Sequence, residues 1–322
     1  MKTKIIGTGS YLPQIQMSND DISNLVDTND EWIRSRTGIL SRHIAKEETT
    51  CSMAILAAKR ALEDAHISAA DLDLIIVSTC SADNLLPSTA CSVQSALQAT
   101  SAFAFDLNAA CSGFAFALSV VDAYIQNGAI KHALVIGAET LSKIIDWSDR
   151  STCVLFGDGA GAAVVASTDS KEGILASVQH SDGSKGEVLS CKSRSNNNPY
   201  INTPTELDHV YMNGQEVFRF AVKRVCEIIP ETLEKAGLTL DDIDTFLLHQ
   251  ANSRIIQSIA KKLKLPLEKF PVNLDRCANT SAATIPILLD ECRRNGTVKP
   301  GQKILLCGFG AGLTWACTII QL

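Results

Sequence analysis

At 322 residues the chain is long enough for two domains or one extensive core, and its 46% hydrophobic and 20% charged content is that of a soluble globular protein. A formal net charge of −6 excludes general nucleic-acid binding, which needs a basic excess. Eleven cysteines without a C-x-x-C pair give no zinc signal and suit reduced thiols; no signal-peptide core opens the chain and no apolar run reaches membrane-spanning length, so a cytoplasmic protein is expected.

Lys2 to Gly7 reads as a strand leading into the turn Gly7-Thr8-Gly9-Ser10. No helix opens directly after it, so the glycine pair is not a dinucleotide fingerprint. Asp20 to Val26 reads as a short helix, and Asp30-Glu31-Trp32-Ile33-Arg34-Ser35-Arg36 begins another. An alanine-rich helix over Ser52 to His66 precedes the strand Leu74-Ile75-Ile76-Val77, and a further helix runs from Ser88 to Leu97. The strand Ala133-Leu134-Val135-Ile136 is followed by the Gly-rich segment 156–162, FGDGAGA, which leads into another strand. That segment lacks the Lys-Ser/Thr of a phosphate loop, so close backbone packing explains its glycines.

The stretch from Asp106 to Gly128, DLNAACSGFAFALSVVDAYIQNG, stands out. A turn of small residues precedes a helix that is apolar nearly all round, the mark of a helix buried in a large core. Cys111 falls at or just before the N-terminus of that helix, where unpaired backbone N–H groups and the positive dipole end favour an anion. Such a setting lowers a thiol pKa, and small neighbours leave room for a carbonyl to approach.

The second half of the chain repeats the first. Leu62 to Thr79 (LEDAHISAADLDLIIVST) lies without gaps on Leu233 to Gln250 (LEKAGLTLDDIDTFLLHQ), since 233 − 62 = 171. Ser119 to Gly128 (SVVDAYIQNG) lies on Ile287 to Gly296 (ILLDECRRNG) at an offset of 168, and the strand at Leu134 answers Ile304-Leu305-Leu306. Each unit runs helix, strand, helix, strand, which implies mainly parallel sheets with crossover helices. Two units side by side give a pseudo-twofold α/β/α/β/α sandwich, with halves at 1–170 and 171–322. At the same offset Asn279 falls on Cys111, because 279 − 168 = 111, and His249 falls on Ser78 at the carboxyl end of its strand. In open α/β sheets, ligands bind at that face.

These residues and their neighbours make the chain recognisable. IIGTGSYLP, DTNDEWIRSRTGI, NAACSGFAFAL, FGDGAGAA, HQANSRII, NTSAATIP and GFGAGLTWA together resemble the β-ketoacyl-acyl-carrier-protein synthase III family of the thiolase superfamily, essentially end to end. The resemblance implies a thiolase-like five-layered α/β fold made by internal duplication. It also implies a homodimer and a Cys-His-Asn triad at Cys111, His249 and Asn279. In the implied reaction Cys111 takes an acyl group from acyl-CoA. Malonyl-acyl-carrier-protein then loses carbon dioxide, and its carbanion attacks the acyl group to give a 3-oxoacyl product that starts fatty-acid synthesis. The CoA thioester is a substrate, and no cofactor or metal is implied. His249, through a ring N–H, and Asn279, through its amide, can donate to the oxygen that gains charge, and His249 is also expected close enough to help ionise Cys111. A second oxyanion hole is expected from the backbone N–H groups of Cys111 and Ala311. The five remaining histidines read as structural or surface residues.

By the same resemblance CoA binding falls to Thr28, Trp32, Arg36, Arg150, Phe218 and Asn252, with adenine held between an indole and a guanidinium. The acyl pocket falls to Leu141, Phe156 and Leu189, with Leu86 from a dimer partner. Arg254, Lys261 and Lys262 form a basic helix face opposite Ile255, Ile256, Ile259 and Leu263, suited to an acidic carrier protein, and Arg219 joins it. The chain departs from the family at Cys277-Ala278, where a Gly usually precedes the Asn; if that position needs φ > 0, alanine adds strain. A relative that transfers acyl groups to another acceptor in secondary metabolism is the alternative, as is a non-catalytic acyl-CoA or carrier-protein binding module. Retention of all three triad residues argues against the last.

Overall fold

A computed structural model describes residues 1–193, 195–196, 198–201 and 208–322. Nine strands form two sheets. The first is built from β1 (Lys2–Tyr11), β2 (Leu74–Ser78), β3 (Phe103–Leu107), β4 (His132–Glu139) and β5 (Gly159–Thr168), in the order β1-β5-β4-β2-β3. The second is built from β6 (Gly173–Ser181), β7 (Thr245–Leu248), β8 (Lys303–Gly310) and β9 (Thr314–Gln321), in the order β7-β8-β9-β6.

Six helices sandwich these sheets: α1 (Thr50–Ala65), α2 (Thr89–Leu97), α3 (Gly113–Gln126), α4 (Gly214–Ala236), α5 (Ser253–Leu263) and α6 (Thr284–Arg294). α1 and α2 cover the outer face of the first sheet through Met53, Ala57, Ala61 and Val93. α4 and α5 cover the outer face of the second through Val225, Ile229, Ile256 and Ile259. α3 and α6 fill the space between, where Phe114, Leu118, Val121, Ile285 and Leu289 meet Ile76 and Val135 of one sheet and Leu247 and Leu306 of the other. The result is the thiolase-like α/β/α/β/α order. Strand period explains how one segment serves two cores: Phe246 and Leu248 face outward to α4 and α5, while Leu247 faces the middle layer.

Two expectations need correction. The sheets are mixed rather than mainly parallel: β2 pairs in parallel with β3 and β4, and β7 with β8, whereas β1–β5, β4–β5, β8–β9 and β9–β6 are antiparallel. Between β8 and β9 only Ala311 to Leu313 intervene, and so short a link joins antiparallel strands only. β1 also does not end at Gly7; it runs to Tyr11 through a register shift between Ile5 and Gly7. Gly7 is there because α1 presses on the strand: a Cβ would stand 2.5 Å from the backbone of Ala61 and Ala65.

Candidate active site

Cys111 sits in a one-turn 3-10 segment, Ala110–Ser112, directly ahead of α3. Hydrogen bonds on both sides hold that turn. Ser112 Oγ bonds to Ala109 O at 2.7 Å and to Thr314 Oγ1 at 2.8 Å, while Thr314 Oγ1 also reaches Ala109 O at 3.0 Å and Ala311 O at 2.9 Å. One threonine therefore ties the Cys111 turn to the Ala311 turn. Strand β8 closes from the other side, and a Cβ on Gly310 would lie 2.7 Å from the Cys111 amide nitrogen. No side chain fits there, so backbone meets backbone at the sulfur-bearing residue.

His249 follows the last residue of β7, and its amide bonds to Cys307 O of β8 at 2.9 Å. Its ring packs edge-on against Phe309 with centroids 4.9 Å apart, and Nδ1 lies 2.7 Å from Thr284 Oγ1 at the start of α6. Burial pushes its pKa down to about 3, so the ring is neutral at neutral pH. Asn279 lies in the turn before α6, joined to Phe156 through an isolated bridge, with its Oδ1 accepting from Ser281 N at 2.9 Å. That bond leaves the amide nitrogen of Asn279 free to donate elsewhere.

Ser281 brings these groups together. Its hydroxyl lies near enough to the Cys111 thiol to lower its pKa, its amide donates to Asn279, and its carbonyl lies 3.0 Å from Thr284 Oγ1, the hydroxyl that meets His249. The same hydroxyl faces Cys80 Sγ at 3.8 Å and the buried Glu139 carboxyl, which also accepts from Thr79 Oγ1, Cys80 N and Ser81 Oγ. Neither Ser281, Thr284 nor Glu139 was singled out from sequence. NTSAATIP lay in plain view, but nothing local marks which of its hydroxyls face the nucleophile.

The thiol differs from expectation. A helix N-terminus favours thiolate, yet burial pushes the Cys111 pKa up to about 12; the Ser281 contact lowers it and the nearby Glu139 charge raises it further. Desolvation outweighs the helix terminus because the sulfur is enclosed by β8, Ser281 and Cys80. The backbone is strained around it. Six non-glycine residues have positive φ among the described residues; His66, Gln98 and Lys264 are helix C-caps, and the other three, Ala110, Ala278 and Ser281, flank Cys111 and Asn279. Ala278, fully buried at φ 55° and ψ −159°, occupies a region nearly confined to glycine. Cys277 is buried, with its pKa pushed up to about 12, as an inert packed thiol would be.

The residues expected to bind CoA fall into three contacts. The Arg150 guanidinium lies over the Trp32 indole at 4.8 Å and bonds to Asp27 O at 2.7 Å, beside Thr28, whose buried Oγ1 has no partner among the described residues. At that spacing no ring fits between them, so a base stacks on Trp32 only after the guanidinium swings away. Asn252 caps α5 by accepting from Arg254 N and donates to Arg36 O at 3.0 Å, while Arg254 stands 6.0 Å from the Phe218 ring. Leu141 and Phe156 are buried in the core beside α4 and α5, Leu189 is half-buried, and Leu86 is 88% exposed beside Leu85 at 75%. Arg254, Lys261 and Lys262 are exposed on α5 while Ile255, Ile256 and Ile259 are buried; Arg219, on α4, pairs with Glu216 at 2.7 Å. Among the described residues no group of three or more His, Cys, Asp or Glu stands ready to hold a metal ion, and no helix is long and apolar enough to cross a membrane.

Residues 105–183 match the family model 3-Oxoacyl-[acyl-carrier-protein (ACP)] synthase III, and residues 233–322 match its C-terminal counterpart. Across 319 residues the chain is 51% identical to beta-ketoacyl-[acyl-carrier-protein] synthase III of Clostridium novyi, covering 99% of this chain and 98% of that one. The chain belongs to the 3-oxoacyl-acyl-carrier-protein synthase III family. The synthase III of Caldanaerobacter subterraneus is 50% identical over 320 residues, covering 98% of this chain and 97% of the relative. The crystal structure of the Aquifex aeolicus synthase III superposes with a TM-score of 0.93 at 48% identity, covering 99% of this chain and all of that one. The enzyme class that goes with synthase III is that of the acyl-transferring condensing enzymes.

Proposed function

We infer that this protein catalyses the decarboxylating condensation of an acyl-CoA primer with malonyl-acyl-carrier-protein, giving a 3-oxoacyl-acyl-carrier-protein and starting fatty-acid synthesis. The observation that carries this reading is Ser281, which stands beside Cys111, bonds to Asn279 through its amide and reaches His249 through Thr284. In the first half-reaction the Cys111 sulfur attacks the thioester carbon, the carbon–sulfur bond to CoA breaks, and the thiol proton goes to the departing sulfur, so that CoA leaves as its free thiol. The backbone N–H groups of Cys111 and Ala311 receive the oxyanion, a role supported by the Thr314 link between their two turns. In the second half-reaction the malonyl carbon–carboxylate bond breaks and carbon dioxide leaves. The electron pair resides on the thioester oxygen before the carbanion attacks the acyl carbon and frees Cys111. Asn279 and His249 supply hydrogen bonds to that oxygen; both are neutral, so neither repels it. Nothing in the scheme calls for a metal or a cofactor, the CoA thioester being a substrate.

Thr28, Trp32, Arg36, Arg150, Phe218 and Asn252 form the path for CoA, with Arg150 the movable member. Leu141, Phe156 and Leu189 line the acyl pocket. Leu85 and Leu86 present two bare leucines on one loop, which supports a homodimer in which Leu86 reaches the partner's pocket. Arg219, Arg254, Lys261 and Lys262 form the landing face for the acidic carrier protein. The two halves divide near residue 170, between the end of β5 at Thr168 and the start of β6 at Gly173. Eleven unpaired cysteines fit a reducing cytoplasm.

The test separates the half-reactions. Incubation with acetyl-CoA adds an acetyl mass to the peptide that carries Cys111, and Cys111→Ala abolishes both labelling and condensation. His249→Ala and Asn279→Ala still label but decarboxylate malonyl-carrier about 10²–10³ times more slowly, the usual cost of one oxyanion donor. Condensation by Cys111→Ala, or normal decarboxylation by either of the others, overturns the assignment.

A further inference from the structure

The imidazole of His249 has two nitrogens, and which one carries the proton decides what the ring can do. In a neutral ring one nitrogen donates and the other accepts. Only a ring protonated at Nε2 can donate into the pocket toward the oxygen that gains charge, as the reading above requires. Nδ1 faces the protein, and its partner is the Thr284 hydroxyl at 2.7 Å. That hydroxyl has a second neighbour, Ser281 O at 3.0 Å, but this carbonyl already accepts the backbone N–H of Thr284. Thr284 has a single hydroxyl proton to place. The carbonyl is satisfied without it, whereas a buried Nδ1 lone pair has no other donor among the described residues and is costly to leave bare. The shorter of the two contacts is also the one to the ring.

We propose that Thr284 Oγ1 donates to Nδ1 of His249 and thereby holds the ring as the Nε2–H tautomer, making Thr284 a positioning residue for the decarboxylation half-reaction. This rests on the proposed role of His249 and extends it to a residue that touches no substrate atom. The position of Thr284 suits the task. It opens α6, its side chain is buried, and Ser281 and the middle layer hold it from below, so the donor direction is set before substrate arrives. Phe309 packs edge-on against the ring at 4.9 Å and narrows its room to turn over. One consequence runs against the expectation that His249 helps to ionise Cys111. With Nδ1 occupied by Thr284 and Nε2 carrying hydrogen, the resting ring offers no lone pair to the thiol. The second half-reaction therefore depends on Thr284, and the first does not.

The experiment compares Thr284→Val, which keeps the shape and removes the hydroxyl, with Thr284→Ser, which keeps the hydroxyl. In protein labelled with ¹⁵N-histidine, the His249 signals, identified by their loss in His249→Asn, report the tautomer directly. In the wild type and in Thr284→Ser the protonated nitrogen is Nε2; in Thr284→Val the signals move toward a mixture. Malonyl-carrier decarboxylation falls about 10- to 100-fold in Thr284→Val, by analogy with the loss of a partner that orients a metal-bound histidine. It returns to within about threefold of wild type in Thr284→Ser. Acetyl transfer to Cys111 changes by less than about threefold in both. A wild-type ring protonated at Nδ1, a Thr284→Ser as slow as Thr284→Val, or equal loss of both half-reactions overturns the proposal. Wild-type protein that shows the Nε2–H tautomer yet decarboxylates nothing refutes the role of His249 while leaving the Thr284 contact intact.

Discussion

The ionisation of Cys111 brings two opposed effects into one measurement. A helix N-terminus lowers a thiol pKa and enclosure raises it; here enclosure wins, taking the group from an ordinary 9.0 to about 12. At pH 8 that leaves on the order of one thiolate in 10,000, against roughly one in ten for an unperturbed thiol, so iodoacetamide modifies Cys111 about a thousandfold more slowly than a free thiol. The rate of alkylation, followed by mass spectrometry of the Cys111 peptide, rises about tenfold per pH unit from pH 7 to 10 without a plateau. Glu139→Gln, which removes a nearby negative charge, raises that rate at every pH. The same shift is a stability term. A raised pKa means that the folded state favours the thiol form, so its contribution is fully present below pH 9.0 and is lost as pH climbs through about 12. Three pH units at about 1.4 kcal/mol each come to about 4 kcal/mol. Cys111→Ala therefore loses less stability than wild type between pH 9 and 12 in urea titrations. A plateau in alkylation below pH 8 refutes this reasoning and returns the advantage to the helix terminus.

Ala278→Gly relieves a backbone strain of about 1–3 kcal/mol and costs about 0.5–1 kcal/mol in chain freedom and about 0.8 kcal/mol for the lost methyl, so at the middle of those ranges it stabilises by about 0.5 kcal/mol. A fall in the urea midpoint shows that φ 55° at this position is not a burden. Arg150→Ala raises KM for acyl-CoA about tenfold and leaves KM for malonyl-carrier alone, because the guanidinium serves only the CoA path. Its effect on urea stability stays below about 1 kcal/mol, the worth of an exposed cation–π contact. Unchanged KM for acyl-CoA removes Arg150 from that path.

Much of the architecture was legible from local pattern. The all-apolar 106–128 stretch foretold a buried helix, and the repeat at offsets 168 and 171 placed Cys111 and Asn279 in matching turns. Where the reading failed, the cause was distant in sequence. Gly7 looks like a strand breaker until α1, some 50 residues on, is seen pressing against it. Strand direction in β9 follows from a three-residue link, which a count of helices and strands does not weigh. The thiol pKa depends on what surrounds the sulfur, and Ser281 and Cys80 come near it from two different loops. Thr284 was invisible for a similar reason, since a threonine that opens a helix looks like any other until the ring beside it is in place.

The middle layer of helices has a consequence for how such a molecule can be altered. Cys111 leads into α3 and Thr284 opens α6, so the sulfur and the imidazole's support stand on neighbouring beams within one apolar filling. Changing the thickness of that filling, at Leu118 or Leu289 for instance, alters how far apart those beams stand without touching any group that meets a ligand. Turnover and recognition are adjustable separately, one from the interior and the other from the rim.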